Sequence, residues 1–488
     1  MHSNVLSLIS LILYLGLVLL PLGLSLALNL PQRPWPDQLS SHFAMIGFNL
    51  ILLEFFTTGR LKLLSRLLGI DWVLQVHQLL ARLAALLLLI HPFLYTLPNK
   101  PSGLYVSSDA QFLGINLASS LTGMLALITL IILIGLALTR QNSGLRYETW
   151  RASHAIMALL VVVLGFHHTT HAGRFSQEPW ILIYWQIALA LALLSIAWVY
   201  LIQPLIQAQQ AYQVVSIREV AARIWELVIE RPSSTKSSTP SLKYQAGQFV
   251  WLKIGHPRPL YENPFSIASC PDENSTQLKF LIKEVGDFTH QVSQLNKHDR
   301  IFVDGAYGNF GQKIYAPETQ ELVLIAGGVG IAPVLSLIRS LAKSSDPTLL
   351  KKKIVLIYGN RAPEQIIDLA KMVNLQAFEQ LTQINVISEP NEAWQGEVGV
   401  LDAATLNRIL KSTGIAVTQA QYFVCGPAVM IDAVENTLDE MGVQLNQIDS
   451  EKFQYDLTQK NPRNRRSIVT WLMASATLIG LATYWAMR

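Results

Sequence analysis

Apolar residues dominate the first 205 positions of the chain and return in one run near its C-terminus. A helix needs about 20 consecutive apolar residues to cross the hydrocarbon core of a bilayer. By that measure the pattern predicts six spans in the first part of the chain and one more after residue 460. The predicted spans are residues 4–29, 40–58, 72–97, 112–139, 152–171, 179–203 and 467–486.

The pattern changes after about residue 210, where the long apolar runs stop. Short β-rich runs such as QFVWLKI and LKFLIKEV, separated by Pro, Gly and Ser, predict a small antiparallel β-barrel over 211–315. Apolar strands that alternate with helical patterns predict an α/β domain with a parallel sheet over 320–455. The expected fold is therefore an α-helical transmembrane bundle, residues 1–206, fused to these two domains and followed by an additional C-terminal transmembrane helix at 467–486.

Composition and charge agree with a membrane protein. Of the 488 residues 51% are hydrophobic and only 14% are charged, unlike an average soluble domain. Basic residues cluster after the second and fourth spans, so the positive-inside rule predicts a cytoplasmic soluble region and a C-terminus outside a plasma (inner) membrane. The net charge of +4 includes no Lys/Arg tract that would indicate nucleic acid. Cys270 and Cys425 form no CxxC and indicate neither a disulfide framework nor a thiol metal site.

Histidines recur at matched depths in two of the predicted spans. His77 and His91 of the third span are 14 residues apart, which places them about 21 Å apart along a helix and on nearly the same face. In the fifth span His154 is followed by His167 and His168. Two neighbouring helices would thus each offer an upper and a lower imidazole, as two stacked b-type haems with bis-histidine ligation require. The alternative, that such histidines only hold helices together, is weaker for four at matched depths.

Other polar residues of the spans have simpler interpretations. His42, His168 and His171 lie at the outer ends of their spans, where a solvated side chain is favoured over a ligand. Glu54 and Arg82 both lie on the cytoplasmic halves of their helices. An ion pair between them is the favoured interpretation, and a contact of Arg82 with a haem propionate is the alternative.

Four motifs in the soluble half contain turns that could bind a ligand. LVLIAGGVGIAPVLSLIRSL (322–341) is a strand, a Gly-rich turn and a helix, which lets backbone N–H groups approach a pyrophosphate, although it is not GxGxxG. YFVCGPAVM (422–430) places Cys425 at the C-terminal end of a strand, where α/β ligands bind. Taken alone, Cys425 would be a small buried thiol. NPFSIAS (263–269) and DGAYGNF (304–310) are turns with a hydroxyl or an aromatic side chain.

These motifs together resemble the NADPH oxidase and ferric reductase superfamily, in particular its prokaryotic-type oxidases. In that superfamily a six-span haem domain is fused to a ferredoxin–NADP reductase-like module. The resemblance covers about residues 1–455. It rests on the order of the paired histidines, NPFSIAS, IKEVGDFT (282–289), DGAYG, AGGVGIAPVLS, CGP and SEKF (450–453). It implies FAD, two haem b groups and NADPH (or NADH) as cofactors, with 211–315 as the FAD domain and 320–455 as the NAD(P)H domain.

The resemblance also implies roles for residues of the soluble half. Phe265 would lie against the isoalloxazine, Ser266 near its N5, and Phe453 would cover the ring until nicotinamide displaces it. Ser266, Cys425 and Phe453 are thus the expected catalytic residues. The flavin would be held by Asn263, Pro264, Phe265 and Ser266, and its pyrophosphate would be lined by Lys283, Gly286 and Thr289. The nicotinamide nucleotide would be bound by Gly327, Gly328, Gly330, Pro333, Cys425, Gly426 and Pro427.

The resemblance and ideal helix geometry predict different ligands for the outer haem. The implied axial pairs are His77 with His154 on the cytoplasmic side and His91 with His167 on the outer side. On an ideal helix His167 lies about 140° from the face of His154, whereas His168 lies within about 40° of it. A break near Gly165 would reconcile the two. We follow the resemblance and expect His167 to be the ligand.

Several departures from the oxidase pattern leave the electron acceptor open. Asn263 stands where animal oxidases have His, and Tyr95 stands where oxidases have a second histidine after the outer ligand. Leu160 replaces an aromatic residue often found between the haems, and the second span has no clear arginine in its outer half. The favoured acceptor is O₂, giving superoxide; ferric iron or a periplasmic partner protein is the alternative. The sequence identifies no regulatory or acceptor subunit.

The choice of nucleotide also stays open. Arg361 ends the second strand of the nucleotide domain, where a cation can take the 2′-phosphate of NADPH. An arginine there is equally compatible with a solvated turn and with NADH.

Overall fold

The computed structural model describes most of the chain as two compact units. One unit consists of Met1–Leu61, Leu74–Leu201 and Ile468–Arg488, and the other of Lys62–Val73 and Ile202–Ser467. The described residues are 2–28, 34–57, 70–95, 117–140, 144–172, 175, 178–232, 242–271, 276–452 and 462–487.

Helices occupy the positions of the predicted spans. Five of the described helices are long and apolar enough to cross a membrane, namely those at 73–94, 118–138, 147–172, 179–208 and 468–487. The first helix is shorter over its described side chains, Ile12–Ala27. The helices of this unit are α1 (His2–Ala27), α2 (Trp35–Leu53), α3 (Ile70–Leu94), α4 (Leu117–Leu138), α5 (Tyr147–Ala172), α6 (Pro179–Ala197) and α13 (Pro462–Met487).

The membrane unit packs around α2, which is buried over most of its length. Asn49, near the middle of α2, donates to the carbonyl oxygens of Leu17 and Val18 on α1 at 2.8 and 3.0 Å. The Tyr184 hydroxyl of α6 donates to Asn49 Oδ1 at 2.6 Å. Because polar groups in a bilayer must find partners within the protein, these bonds fix three helices to one another.

The C-terminal helix α13 is part of the same apolar core. Leu478, Ala482 and Ala486 are buried with residues of α1 and α2. His42 of α2 is only 1% exposed, and its Nδ1 donates to the carbonyl oxygen of Ala482 at 3.0 Å. The expectation that His42 is solvated is therefore wrong, since α13 covers it.

The second unit begins with a short helix and an antiparallel sheet. The sheet has the order β4-β3-β6-β1-β2-β5, and apolar side chains such as Val214, Leu227 and Phe280 form its core. A bridge between Ile267 and Phe280 brings its edge strands β4 and β5 together. The elements are α7 (Gln203–Ala208), β1 (Tyr212–Ala221), β2 (Ile224–Glu230), β3 (Phe249–Ile254), β4 (Asn263–Ser266), β5 (Gln277–Lys283), α8 (Asp287–Ser293) and β6 (Arg300–Tyr307).

The parallel sheet predicted for the remaining residues is confirmed. Its order is β10-β9-β8-β7-β11-β12. Strand order reverses at β7, so the carboxyl ends of β7 and β11 form the switch point where such sheets bind ligands. The elements are β7 (Glu321–Gly327), α9 (Ile331–Ala342), α10 (Pro347–Leu350), β8 (Lys353–Asn360), β9 (Gln380–Ile387), β10 (Glu397–Val398), α11 (Ala403–Thr413), β11 (Gln421–Cys425), α12 (Ala428–Glu440) and β12 (Ile448–Glu451).

Candidate functional site

His91 of α3 and His168 of α5 line one cavity in the membrane unit. The cavity has a volume of about 340 Å³, within the usual range of ligand pockets, and its walls are mainly apolar. Phe48, Leu127 and Val161 are among the side chains that line it. Two histidines that line one mainly apolar cavity from different helices are compatible with an axially ligated haem.

Both imidazoles are held in the tautomer that suits a metal ligand. The Nδ1–H of His91 donates to the carbonyl oxygen of Leu88 at 2.6 Å, and that of His168 donates to Ser119 at 2.8 Å. With Nδ1 occupied, Nε2 carries the lone pair in each neutral ring. The donor set therefore fits a bis-histidine iron.

His167 is engaged elsewhere. Its Nδ1 lies 3.0 Å from Thr122 Oγ1, and its ring stacks on His171 with a centroid distance of 4.2 Å. The helix α5 continues through Gly165 without the predicted break, so the ideal turn of 100° per residue applies. The expected ligand His167 is not among the residues that line the cavity, whereas its neighbour His168 lines it together with His91. His171 is exposed, as expected.

Glycines make room for this arrangement. A Cβ on Gly123 of α4 would lie 2.5 Å from Nδ1 of His168, and a Cβ on Gly165 would lie 2.7 Å from Cε2 of Phe48. Leu160, which we expected between the haem sites, is instead 46% exposed. Phe48 is the aromatic residue that lines the cavity, and the sequence analysis did not identify it.

The second histidine pair lies toward the other end of α3 and α5. His77 and His154 both lie in the first half of their helices. Nδ1 of His77 forms an ion pair with Glu54. Nδ1 of His154 has no hydrogen-bond partner among the described residues, and its ring stacks on Trp150. Glu54 and Arg82 were expected to pair; the carboxylate instead binds His77, and Arg82 is exposed.

The flavin motif forms the edge strand β4 of the antiparallel sheet. Ser266 pairs with Phe249 and Phe265 with Val250, so Asn263 and Pro264 lie at the other end of the strand. The ring of Phe265 stacks on Phe288 of α8 with a centroid distance of 5.7 Å. Immediately before the strand, the buried Glu262 binds Lys253 at 3.2 Å, which fixes its entry into the sheet.

Ser266 and Cys425 meet at a buried carboxylate. The Ser266 hydroxyl donates to Oε2 of Glu451 at 3.4 Å, and Glu451 is only 3% exposed. Glu451 ends β12 directly beside Cys425, the last residue of β11. The sequence analysis used Glu451 only as part of the SEKF match and gave it no role. The SEKF match was the feature of the sequence that could have identified Glu451. Phe453 lies outside the described residues.

The strand end that carries Glu451 is anchored by a buried lysine. Nζ of Lys452 lies 2.6 Å from Oδ1 of Asp432 and 2.9 Å from Oε2 of Glu435, both on α12. Glu435 also accepts from the Ser450 hydroxyl at 2.6 Å. These bonds hold β12 in register, so that Glu451 keeps its place beside Ser266.

The two glycine-containing turns of the nucleotide domain touch backbone to backbone. A Cβ on Gly330 would lie 2.2 Å from the carbonyl oxygen of Cys425, and one on Gly426 would lie 3.1 Å from Gly327. Gly328 has a φ of +54°, and a Cβ added there would meet no atom within 4 Å. Pro333 is buried in the first turn of α9, which begins next to these glycines, and Pro427 precedes α12. A pyrophosphate fits such a cradle.

Positive charge collects near the predicted flavin pyrophosphate residues. Burial, together with the neighbouring Arg223 and Arg361, lowers the pKa of Lys283. Gly286 caps α8, and its N–H donates to the Thr289 hydroxyl at 2.9 Å. Lys283, Gly286 and Thr289 are thus brought together, and Thr289 shapes the turn through its hydroxyl. Arg223 and Arg361 also pair with Glu284 at 3.8 Å and with Glu389 at 2.8 Å, so carboxylates offset part of this positive charge.

Three known families match consecutive parts of the chain. The ferric reductase like transmembrane component matches residues 43–165, the FAD-binding domain matches 210–311, and the oxidoreductase NAD-binding domain matches 324–436. The chain has the NADPH oxidase and ferric reductase type of architecture. Its membrane helices are thus similar to a ferric reductase-like component, and its two sheets are similar to the FAD-binding and NAD-binding domains of oxidoreductases.

Curated relatives match between a third and about half of the chain. NADH-cytochrome b5 reductase 1 of Kluyveromyces lactis is 33% identical over 175 residues, which are 34% of this chain and 58% of that protein. The phenol hydroxylase P5 protein of Acinetobacter pittii is 28% identical over 262 residues, 51% of this chain and 66% of that protein. The chain thus spans less than two thirds of the length of these relatives.

Solved structures that are similar to the chain include two multidomain proteins. The CS-b5R domains of human Ncb5or are 24% identical, with a TM-score of 0.43, over 50% of this chain and 69% of that one. The flavohemoglobin from Malassezia yamatoensis is 16% identical, with a TM-score of 0.44, over 87% of this chain and 100% of that one.

Proposed function

We propose that the chain is a transmembrane NAD(P)H oxidase that carries electrons from cytosolic NADPH through FAD and two b-type haems to O₂, giving superoxide. The cavity between His91 and His168 carries the proposal, because two histidines from two helices line one mainly apolar space and both engage Nδ1 with backbone carbonyls. His77 and His154 would ligate the second iron. The six-plus-one span count, the closure of the antiparallel sheet into a barrel and the plasma membrane location belong to the same proposal.

The residues of the soluble unit have defined tasks in this function. The amides around Gly328 and the start of α9 bind the nucleotide pyrophosphate, and the close contact of Gly330 with Cys425 holds the two turns in place. Glu451 orients the Ser266 hydroxyl. Flavin, when bound, allows a two-electron donor to supply one-electron acceptors. Phe453 would cover the ring in the absence of nucleotide.

Superoxide formation by the purified full-length protein tests the proposal. With FAD, haem and NADPH supplied, we expect cytochrome c to be reduced and superoxide dismutase to suppress most of that reduction. Reduction that superoxide dismutase fails to suppress would contradict the oxidase function. A ferric chelate reduced at the same rate without oxygen would then identify ferric iron as the acceptor.

Ferric reduction is the second candidate, and a specific contact favours it. The Tyr95 hydroxyl, at the position where oxidases have histidine, lies 3.1 Å from Ser41 Oγ. This contact joins the ends of α2 and α3 near His91 without a cation, and α2 itself contains no arginine. A superoxide-forming site without such a cation has less positive charge for its anionic product. Delivery to a periplasmic partner protein is a further alternative.

Replacing Arg361 with alanine should raise the KM for NADPH about tenfold and leave the KM for NADH unchanged. A lost charge-assisted contact to the 2′-phosphate costs about 1.4 kcal/mol, which corresponds to that factor. Arg361 now pairs with the exposed Glu389 at 2.8 Å and would exchange this partner for the phosphate. Steady-state kinetics with both nucleotides measure the effect.

Arg408→Ala is the matched control for Arg361. Arg408 forms a similar exposed pair, with Glu397 at 2.6 Å. Arg408 does not lie at the end of a strand at the switch point, so both KM values should stay unchanged. Equal KM shifts for NADPH and NADH in Arg361→Ala would show that Arg361 does not recognise the 2′-phosphate.

A further inference from the structure

Glu54 is a buried carboxylate in the membrane unit to which the proposed function gives no task. It follows the last residue of α2 and is 6% exposed. Its Oε2 accepts from Nδ1 of His77 and from the Thr57 hydroxyl, the latter at 2.7 Å. Its Oε1 is buried with no partner among the described residues. A carboxylate is costly to place in this environment, so its contact with a histidine of a membrane helix indicates a function.

The partners of the four histidines divide them into two kinds. His91 and His168 donate their Nδ1–H groups to neutral backbone carbonyls. Of these four histidines, only His77 donates to a carboxylate, and Nδ1 of His154 has no partner among the described residues. A negative charge therefore lies next to Nδ1 of one histidine in the pair His77 and His154, whereas both histidines of the pair His91 and His168 donate to neutral carbonyls.

This difference acts on the electron affinity of a metal held by the rings. A carboxylate that accepts Nδ1–H increases electron donation from Nε2, and its charge favours the more positive oxidation state of iron. The low dielectric of the membrane interior strengthens the effect. A backbone carbonyl also accepts a hydrogen bond from Nδ1–H, but it adds no negative charge.

We propose that Glu54 lowers the reduction potential of the haem site at His77 and His154 below that of the site at His91 and His168. The inference rests on the proposed function, because it needs both haem sites. Electrons that enter from the cytoplasmic side then move to the site of higher potential. Glu54 is a positioning residue that acts through His77 and gives the transfer its outward direction.

Spectroelectrochemical titration of Glu54→Gln tests this inference. Glutamine keeps the size and an acceptor oxygen but removes the charge, so both haems should remain bound. The potential of one haem should rise and that of the other should stay unchanged. We expect the electron equilibrium between the haems to shift about tenfold, which is about 59 mV for a one-electron couple. Glu148→Gln, at a carboxylate on α5 that lies 3.9 Å from Arg146, is the control and should change neither potential.

Thr57→Val gives a second, opposite change. The valine keeps the carboxylate but removes the hydroxyl that donates to Oε2. More of the charge then acts on His77, so the lower potential should fall further. This variant also decides the matter if Glu54→Gln fails to bind haem. Unchanged potentials in Thr57→Val, or in a haem-replete Glu54→Gln, would overturn the inference and leave the proposed function intact. A wild-type protein without haem would overturn both.

Discussion

Replacing His168 with alanine should reduce the haem content of the purified protein from about two per chain to about one, whereas His167→Ala should retain both. The two residues are neighbours on α5, but only His168 lines the cavity with His91. His167 is bound to Thr122 and stacks on His171. A haem-to-protein ratio with the reduced spectrum measures the effect. Loss of a haem in His167→Ala, together with full content in His168→Ala, would restore the assignment made from the resemblance.

A glycine substitution on the facing helix provides an independent check of the same cavity. In Gly123→Ala the added methyl group would lie 2.5 Å from Nδ1 of His168, so the imidazole must move from its place at Ser119. Gly135→Ala, on the same helix, meets no atom within 4 Å and is the matched control. We expect the former to lose the same haem as His168→Ala and the latter to bind both.

Replacing Glu451 with glutamine should slow the reduction of bound flavin by NADPH about 100-fold. The buried carboxylate orients the Ser266 hydroxyl and lies beside Cys425 at the switch point. A negative charge there stabilises the positive charge that develops on the nicotinamide as it is oxidised. Anaerobic stopped-flow absorbance of the flavin measures the rate.

The control for this change is Glu440→Gln, at an exposed carboxylate at the end of α12. It should reduce flavin at the wild-type rate. The flavin content of Glu451→Gln should stay near that of wild type, because the contact orients a hydroxyl and does not form the flavin-binding strand β4. A wild-type rate in flavin-replete Glu451→Gln would show that the carboxylate is only structural.

The periodicity of the sequence predicted the helices and strands, but it did not predict which of their side chains contact one another. The alternating pattern predicted the parallel sheet, and the motifs identified both glycine-containing turns at the switch point. Whether His167 or His168 faces His91 depends on rotation about the helix axis. A motif alignment counts positions and ignores that rotation. The continuous helix α5 follows 100° per residue, which favours His168.

Contacts between segments that are far apart in the sequence explain the other differences between the predictions and the structure. His42 and its partner Ala482 are 440 positions apart, and no local pattern shows that a C-terminal helix covers α2. Glu54 and Arg82 were paired by charge and depth, but the choice between two cationic partners depends on how α2 and α3 are rotated. Glu451 became recognisable only when parallel pairing placed β12 beside β11.

The packing of α13 into the membrane core gives the soluble unit a second attachment. Residues 202–467 connect to the membrane unit through α6 at one end and through α13 at the other. A domain that stays linked to its partner meets it at an effective concentration in the millimolar range. Cleavage of either connection alone would leave the other intact. Electron delivery from the soluble unit would therefore remain an intramolecular event, independent of protein concentration, after a single proteolytic cut.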